Sequence, residues 1–377
     1  MRSRALVIGA LIIVAAVIAF AVLRPGADDP SSEQADPVAT ANEQALSASK
    51  DFLDSYVDPD GRVVRRDQGG DTVSEGQAYA MLVAVGIGDR ERFDRVWRWT
   101  RDNLQRPDGL LSFLWRDGAV ADPQAASDAD LDAARALLLA ATRFDDQSYR
   151  QAGLEIAKGI AEEETARSGG ETVMLAGPWA DYEDRLVVNP SYFAPRSYAL
   201  LSEATGDDVW QSLADSSRRI SAELVADGTR LPPNWAAIRG DMEVQATGPP
   251  SNEGEAPKYG FDAARLPLRY AESCDPRDRE IAADVWKVLG PRGIEELSTR
   301  HDLDGERDEE GVHPVGLVGA AGAAQAGGEE PTTRDLLDRA DRLDDEFPTY
   351  YGSALIALGR LMLTTDRLSA CDPAAGG

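Results

Sequence analysis

Three carboxylic acids in this sequence stand out because each lies in a short segment of unusual composition. Glu75 belongs to SEGQAY at 74–79, Asp128 to SDADLD at 127–132, and Asp262 to YGFDAAR at 259–265. Two carboxylic acids on either side of a glycosidic bond are sufficient to hydrolyse it, with no metal or organic cofactor. The three segments therefore predict a cofactor-free glycoside hydrolase, provided that folding brings the acids into one cleft.

Two of these acids also fit an ordinary role at the start of a helix. Ser74 and Ser127 are residues of a type that caps helices. Glu75 and Asp128 would then complement the partial positive charge of the helix N-terminus. This structural interpretation requires no chemistry, and it has to be weighed against the catalytic one.

The catalytic interpretation gives the acids different tasks. Glu75 would protonate the leaving oxygen, which requires a pKa high enough to retain a proton near neutrality. Because a helix N-terminus lowers a carboxyl pKa, desolvation and a neighbouring carboxylate must oppose it, and Asp128 is the candidate neighbour. Asp262 would activate water while Arg265 keeps it ionised; the alternative for this pair is a simple ion pair at helical spacing.

Aromatic side chains in loops provide candidate surfaces on which sugar rings stack. These residues are Trp115, Trp179, Tyr192, Phe193 and Trp235. Trp115 and Tyr192 are favoured because they stand beside polar turns. The alternative for each ring is a position in the hydrophobic core.

Segments of helical character are spaced along the chain, and about twelve helices are expected. The candidate ranges are 40–55, 75–87, 91–104, 128–143, 147–163, 190–205, 207–225, 261–272, 277–290, 313–325, 332–344 and 350–365. They follow one another in pairs, and several are alanine-rich and apolar on more than one side. We therefore predict an all-α fold, an (α/α)6 barrel with its cleft at one end of the inner helices. An open helical solenoid is the alternative, but the sequence has no visible fixed repeat.

The N-terminal residues predict a location outside the cytoplasm. Residues 5–23 are uncharged and apolar, and as a helix they would nearly span a hydrocarbon layer of ~30 Å. Arginines precede this run, which favours an inside N-terminus and an extracytoplasmic remainder. We expect a signal-anchor or transmembrane segment at 1–23, a disordered linker at 24–42, a catalytic domain at 43–370 and a tail at 371–377. The alternative is a protein secreted after cleavage near Ala21.

Charge and cysteine content restrict the partners. The sequence has 39 Lys and Arg against 66 Asp and Glu, for a net charge of -27. Such a surface repels nucleic acids and anionic lipid, and it tolerates neutral or cationic substrates. With 2 cysteines and 2 histidines, no zinc site is expected. Cys274 and Cys371 would be either disulfide-bonded in an oxidising compartment or separate buried thiols, and a monomer is the default expectation.

Five motifs in order give the chain a resemblance to glycoside hydrolase family 8 from about residue 45 to 366. They are SEGQAY at 74–79, ASDADLDAA at 126–134, NPSYFAP at 189–195, FDAAR at 261–265 and YYGSAL at 350–355. The resemblance implies an inverting enzyme on an (α/α)6 barrel. It also implies a β-1,4-linked glucan as substrate, with xylan, chitosan or a non-catalytic glycan-binding role as alternatives.

The resemblance also assigns roles to individual residues. Glu75 is expected to be the general acid and Asp262 the general base, while Asp128 holds the distorted sugar and Tyr192 lies beside the catalytic water. The remaining residues predicted to contact substrate are Tyr79, Trp115, Trp235 and Arg265.

Overall fold

The computed structural model describes residues 37–252, 254–308, 311–368 and residue 371. The predicted anchor at 1–23, most of the predicted linker and the tail from residue 372 lie outside these residues. Residues 37–42 were expected to be linker, but they form the first turns of a helix. No helix in the described part of the chain is long and apolar enough to cross a membrane.

Twelve α-helices are present in these described residues. In chain order they are α1 (Pro37–Tyr56), α2 (Ser74–Ile87), α3 (Arg90–Asn103), α4 (Ser127–Arg143), α5 (Gln147–Glu163), α6 (Pro195–Thr205), α7 (Val209–Val225), α8 (Arg265–Ala271), α9 (Pro276–Leu289), α10 (Pro314–Ala326), α11 (Glu330–Glu346) and α12 (Tyr350–Thr364). Each predicted helix has a counterpart here.

The even-numbered helices form a closed inner ring. Each contacts the next in the order α2, α4, α6, α8, α10 and α12, and α12 returns to α2. The odd-numbered helices α3, α5, α7, α9 and α11 each cover the inner helix that precedes them, while α1 covers α12. This arrangement confirms the predicted (α/α)6 barrel, and the open solenoid is wrong.

Burial follows the same division into layers. Helices α2, α10 and α12 are buried on nearly all sides, because they face the barrel interior on one side and the outer helices on the other. Helix α3 buries a single stripe that includes Phe93, Val96 and Trp97. The mixed apolar and amphipathic character of the sequence segments therefore reflects inner and outer positions.

Glycines allow α10 to approach α8 closely. A Cβ atom at Gly319 would lie 2.1 Å from the carbonyl oxygen of Ala264, and one at Gly322 would lie 2.8 Å from the Cα atom of Leu268. Both contacts are with backbone, which cannot rotate away as a side chain can. The position of α8 in the ring thus depends on the absence of side chains on the facing helix.

Short antiparallel strands occupy the connections between helices and were not predicted. They are β1 (Thr72–Val73), β2 (Leu114–Arg116), β3 (Ala119–Asp122), β4 (Thr165–Ser168), β5 (Glu171–Met174), β6 (Asp181–Tyr182), β7 (Arg185–Val188), β8 (Trp235–Arg239) and β9 (Glu243–Thr247). They pair in the orders β1-β2-β3, β4-β5 and β6-β7-β8-β9. Strand β1 leads directly into α2, and β7 leads into the turn before α6, so these sheets fix the entry to two inner helices.

Two inner helices begin later than their sequence ranges. Helix α6 starts at Pro195, after a separate 3-10 turn at Pro190–Tyr192, because the residue before a proline disfavours helical geometry. Helix α8 starts at Arg265, since residues 261–264 form a turn. This turn carries Asp262 in front of the helix.

A disulfide lies at the other end of the barrel. Cys274, just after α8, is bonded to Cys371, after α12, with 5.4 Å between their Cα atoms. The two cysteines are therefore not separate thiols. The bond attaches the segment after the last helix to the C-terminal end of α8.

Candidate active site

The three acids meet because the inner helices run parallel. Each inner helix is followed by an outer helix that returns the chain, so all six inner N-termini lie at one end of the barrel. Glu75 is the second residue of α2, Asp128 is the second residue of α4, and Asp262 lies in the turn that precedes α8. The fold thus brings together three segments that are far apart in sequence.

The capping interpretation of the two serines is wrong. Helix α2 is preceded by Val73 and helix α4 by Ala126, and neither has a side-chain cap. The Ser127 hydroxyl instead donates to the carbonyl of Leu175 at 2.6 Å. Ser74 is fully buried and starts the helix itself. The acids at these positions are therefore not accessories of a capping motif.

One guanidinium group connects all three acids. Arg265 donates from Nη1 to Glu75 Oε2 at 2.9 Å and to Asp128 Oδ2 at 2.8 Å, and from Nη2 to Asp262 Oδ1 at 3.3 Å. The Arg265 side chain is 1% exposed, whereas those of Glu75 and Asp262 are 20% and 33% exposed. The two proposed proton-transfer groups thus reach the cleft, and the cation that holds them lies beneath it.

The shared cation also limits how far apart the acid and the base can lie. The bonded oxygens of Glu75 and Asp262 are separated at most by two hydrogen bonds and the width of one guanidinium group. This limit is compatible with the separation of roughly 6.5–9.5 Å that leaves room for a water molecule in inverting glycosidases. Both acids can therefore serve one glycosidic bond.

Glu75 has the electrostatic environment of a general acid. Burial raises its pKa to about 7, against the opposing charge of Arg265 and with the support of Asp128 and Asp262. Desolvation and a neighbouring carboxylate were expected to raise the pKa of Glu75, and both do so here. At neutral pH an appreciable fraction of Glu75 therefore carries a proton.

The pKa of Asp262 depends on a different set of neighbours. Burial raises its pKa, the Arg265 charge opposes this most strongly, Asp128 adds to the increase, and the side chain of Asn189 lowers it. Asp262 is the most exposed of the three acids, so it is the one best placed to meet a water molecule in the cleft.

Asp128 is the most enclosed of the three acids, with 3% of its side chain exposed. One of its oxygens accepts from Arg265, and the other accepts from the amide of Ala129 at 2.9 Å. Its influence on Glu75 is therefore mainly electrostatic, and contact with a sugar is confined to a narrow exposed edge.

Two residues expected to contact substrate lie instead beneath the cleft. Tyr79 is 1% exposed, and its hydroxyl receives a hydrogen bond from Arg265 at 3.0 Å. The guanidinium group of Arg265 donates hydrogen bonds to the three acids, to Tyr79 and to the hydroxyl of Ser191. Both residues hold the acids in place and do not line the surface of the cleft.

Tyr350 and Ser191 were not identified as site residues from the sequence. A Cβ atom at Gly76 would lie 2.6 Å from the Tyr350 hydroxyl, so the glycine after Glu75 makes room for the start of α12. Ser191 contacts Arg265 from the turn before α6. The motif NPSYFAP contains Ser191 and the motif YYGSAL contains Tyr350, so closer attention to the polar residues of these motifs would have found both.

Aromatic rings flank the base side of the cleft. Trp179, Trp235 and Tyr192 form a chain with ring centroids 6.3 Å apart at each step, and Arg265 lies 5.2 Å from the Tyr192 ring. Trp235 also lines a cavity of about 230 Å³ together with Asp262. Tyr192 and Trp235 thus lie close to the acids, and their contact with substrate stays a prediction.

The other rings are less available. Arg62 lies 4.3 Å from the ring of Trp115, and Trp99 meets this ring nearly at a right angle. A sugar could stack only on the part of the Trp115 ring that Arg62 and Trp99 leave uncovered. Phe193 is fully buried and belongs to the core.

A closed (α/α)6 barrel with paired acids at the open end of its inner helices is the arrangement expected of a glycoside hydrolase. The sequence matches the model of glycosyl hydrolases family 8 over residues 35–365. The chain therefore belongs to that family, which confirms the resemblance read from its motifs.

Individual relatives agree with this membership. The chain is 33% identical to a probable endoglucanase from Novacetimonas hansenii over 85% of this chain and 90% of the relative. It is 32% identical to an endoglucanase from Cellulomonas uda over 66% and 69% of the two chains. The solved structure of an endo-β-1,4-glucanase from Acetobacter xylinum superposes with a TM-score of 0.71 at 29% identity, covering 87% of this chain and 98% of that one.

Proposed function

We propose that this protein hydrolyses internal β-1,4 bonds of a glucan with inversion at the anomeric carbon. The observation that carries the proposal is the Arg265 cluster, in which one buried cation holds Glu75, Asp128 and Asp262 at the mouth of the barrel. The names of the relatives, which are endoglucanases, support the choice of substrate.

In the proposed reaction Glu75 donates its proton to the glycosidic oxygen while that bond breaks. Asp262 accepts a proton from a water molecule that attacks the anomeric carbon from the opposite face of the ring. Arg265 stabilises the carboxylate that Glu75 becomes, and it favours the ionised form of Asp262. Asp128 keeps the pKa of Glu75 high, and its exposed edge contacts the sugar before the bond.

Aromatic rings would hold the chain on either side. Tyr192 and Trp235 flank Asp262 and provide stacking surfaces, while Trp115 offers a partly covered one. A single chain contributes all of these groups, and a monomer is the proposed active unit.

Substitution of the two acids tests the proposal. On a soluble β-1,4-glucan, Glu75→Gln and Asp262→Asn should each lower kcat by about 10²–10⁴-fold, while Glu163→Gln, an exposed change at the end of α5, leaves it unchanged. A panel of xylan, chitosan and mixed-linkage glucan identifies the preferred sugar. Full activity in Glu75→Gln would refute the assignment, and binding without turnover of any glycan would favour a non-catalytic role.

We further propose that the enzyme acts outside the cytoplasm, tethered to the membrane by residues 1–23. The uncharged run at 5–23 and the preceding arginines support a tether, and the Cys274–Cys371 disulfide supports an oxidising compartment. Fractionation of cells that express the full chain should place the protein in the membrane fraction. A variant that lacks residues 1–23 should no longer be found in that fraction. A full-length protein found in the soluble cytoplasm would contradict the tether.

A further inference from the structure

The Arg265 pair is the uppermost of three ion pairs between α4 and α8. Asp128 contacts Arg265 at 2.8 Å, Asp132 contacts Arg269 through both oxygens, and Arg135 contacts Glu272 through two bonds of 2.7 Å. We define these three pairs as the axial ladder. All six side chains are buried, and none except Asp128 and Arg265 belongs to the active site.

The ladder follows helix geometry. Its members on α4 are spaced i, i+4, i+7. Arg265 and Arg269 on α8 and Glu272, the residue that directly follows α8, have the same spacing, so each set occupies one face. Helix α6 lies between α4 and α8 in the inner ring. The arginine side chains therefore bridge helices that are not ring neighbours and fill the interior of the barrel with paired charge.

The charges of the lowest pair are reversed, which makes the register unique. Along α4 the sequence of charges is acid, acid, base, and along α8 it is base, base, acid. A slip of one turn in one direction would bring Arg135 opposite Arg269, and a slip in the other direction would bring Asp132 opposite Glu272. Either slip places like charges together in a buried environment, where the cost is high.

Register matters here because α8 carries the base. Arg265 is the first residue of α8 and Asp262 lies in the turn just before it, so an axial movement of α8 that carries this turn changes the distance from Asp262 to Glu75. Helix α8 spans only Arg265–Ala271, which is about two turns, so it offers a short surface for packing that could oppose such movement.

We propose that Asp132 and Arg269 are positioning residues for catalysis. By fixing the axial register of α8 against α4, they set where Arg265 holds Glu75, Asp128 and Asp262. This inference rests on the proposed function of those acids. It assigns a role in the reaction to a buried pair that does not contact the cleft.

The test replaces the pair with apolar side chains of similar size, Asp132→Leu with Arg269→Met. Exchange of a buried ion pair for packed apolar residues is often neutral or stabilising, so the variant should fold. We expect kcat on a soluble β-1,4-glucan to fall about 10–100-fold with little change in KM, since a displacement of about 1 Å at a catalytic site can cost 10²-fold.

A pH profile separates positioning from simple loss of stability. The charged groups that face Glu75 are Arg265, Asp128, Asp262 and Arg65, with the phenols of Tyr79 and Tyr350 beside them. The deleted pair is neutral overall, so its direct field at Glu75 is small. If Arg265 moves away from Glu75, the pKa of Glu75 rises, and the alkaline limb of kcat/KM should shift to higher pH.

Arg218→Met with Asp278→Leu is the matched control. This pair bridges α7 and α9 at 2.8 Å, with Asp278 buried. Its removal should change the melting temperature but leave kcat and the alkaline limb unaltered. Should the ladder variant fail to fold, Arg269→Lys keeps the charge, loses the two-pronged contact and should produce the same changes at smaller size.

The outcomes distinguish this inference from the proposed function. If wild type cleaves the glucan, Glu75→Gln does not, and a folded ladder variant or Arg269→Lys retains the wild-type kcat and pH profile, the positioning role is wrong. If wild type itself cleaves no glycan, the proposed function fails first.

Discussion

At the scale of single residues, three carboxyl groups that share one buried arginine differ in their burial and surroundings. Glu75 is partly exposed and has its pKa raised to about 7, while Asp128 is nearly enclosed and both of its oxygens accept hydrogen bonds. Two carboxyl groups and one cation within bonding distance cannot titrate independently. Substitution of one acid should therefore be visible in the ionisation of another.

Asp128→Asn should move the alkaline limb of kcat/KM to lower pH. Asp128 raises the pKa of Glu75, so removal of its charge lowers that pKa and Glu75 loses its proton earlier as pH increases. The measurement is a pH–rate profile on a soluble glucan. Asp345→Asn, an exposed change on α11, serves as the control, and an unmoved limb in Asp128→Asn would show that the two acids do not interact.

The raised pKa of Glu75 also has a cost in stability. Its folded pKa is about 7 and its ordinary value is 4.5, so its contribution to folding is fully present below about pH 4.5 and is lost as pH increases through about 7. The loss amounts to at most about 3 kcal/mol. Glu75→Gln lacks this dependence and should gain stability relative to wild type between pH 4 and pH 8.

Thermal unfolding at a series of pH values checks this prediction. The difference in melting temperature between Glu75→Gln and wild type should increase with pH, while the difference for Glu163→Gln stays constant. If the difference in melting temperature for Glu75→Gln does not change with pH, the folded protein does not raise the pKa of Glu75.

At the scale of elements, much of the architecture followed from sequence patterns. All twelve helices were placed, because outer helices keep an apolar stripe and inner helices form alanine-rich apolar runs. The short strands were missed, since segments such as Thr72–Val73 are too short to establish an alternating pattern. The three acids were found through their motifs, whereas the sharing of Arg265 by all three was not, because contacts between distant segments leave no local periodicity.

Gly319→Ala tests the close packing of α10 on α8. The added Cβ atom would overlap the carbonyl oxygen of Ala264, so α8 must shift and carry Arg265 with it. We expect a loss of about 1–3 kcal/mol in unfolding free energy and a fall in kcat. Gly311→Ala, where no atom lies within 4 Å of the added carbon, should be nearly neutral, and equal behaviour of both variants would contradict the packing argument.

At the scale of the whole molecule, chemistry and covalent restraint lie at opposite ends of the barrel. The acids lie at the N-terminal ends of the inner helices, and the Cys274–Cys371 disulfide lies at their C-terminal ends. The segment after α12 also reaches the ladder there, because the carbonyl of Leu368 accepts from Arg135 at 3.3 Å. Changes at the C-terminal ends of the inner helices should therefore alter stability while leaving activity nearly unchanged.

Cys371→Ser should lower unfolding free energy by about 2–4 kcal/mol, because the disulfide restricts the unfolded chain. Activity well below the melting temperature should remain close to that of wild type, since the bond is remote from the acids. Reduction of the wild-type protein provides the control and should reproduce the variant. A large loss of kcat in a folded Cys371→Ser protein would contradict the separation of the two ends.

The central claim is that Glu75 and Asp262 act on opposite faces of one sugar ring with a water molecule at Asp262. Proton NMR of a cello-oligosaccharide digest, recorded before the anomers equilibrate, tests it most directly. The first new reducing end should be the α-anomer, formed by inversion of the β bond. A first product in the β configuration would contradict the proposed geometry and require a covalent intermediate instead.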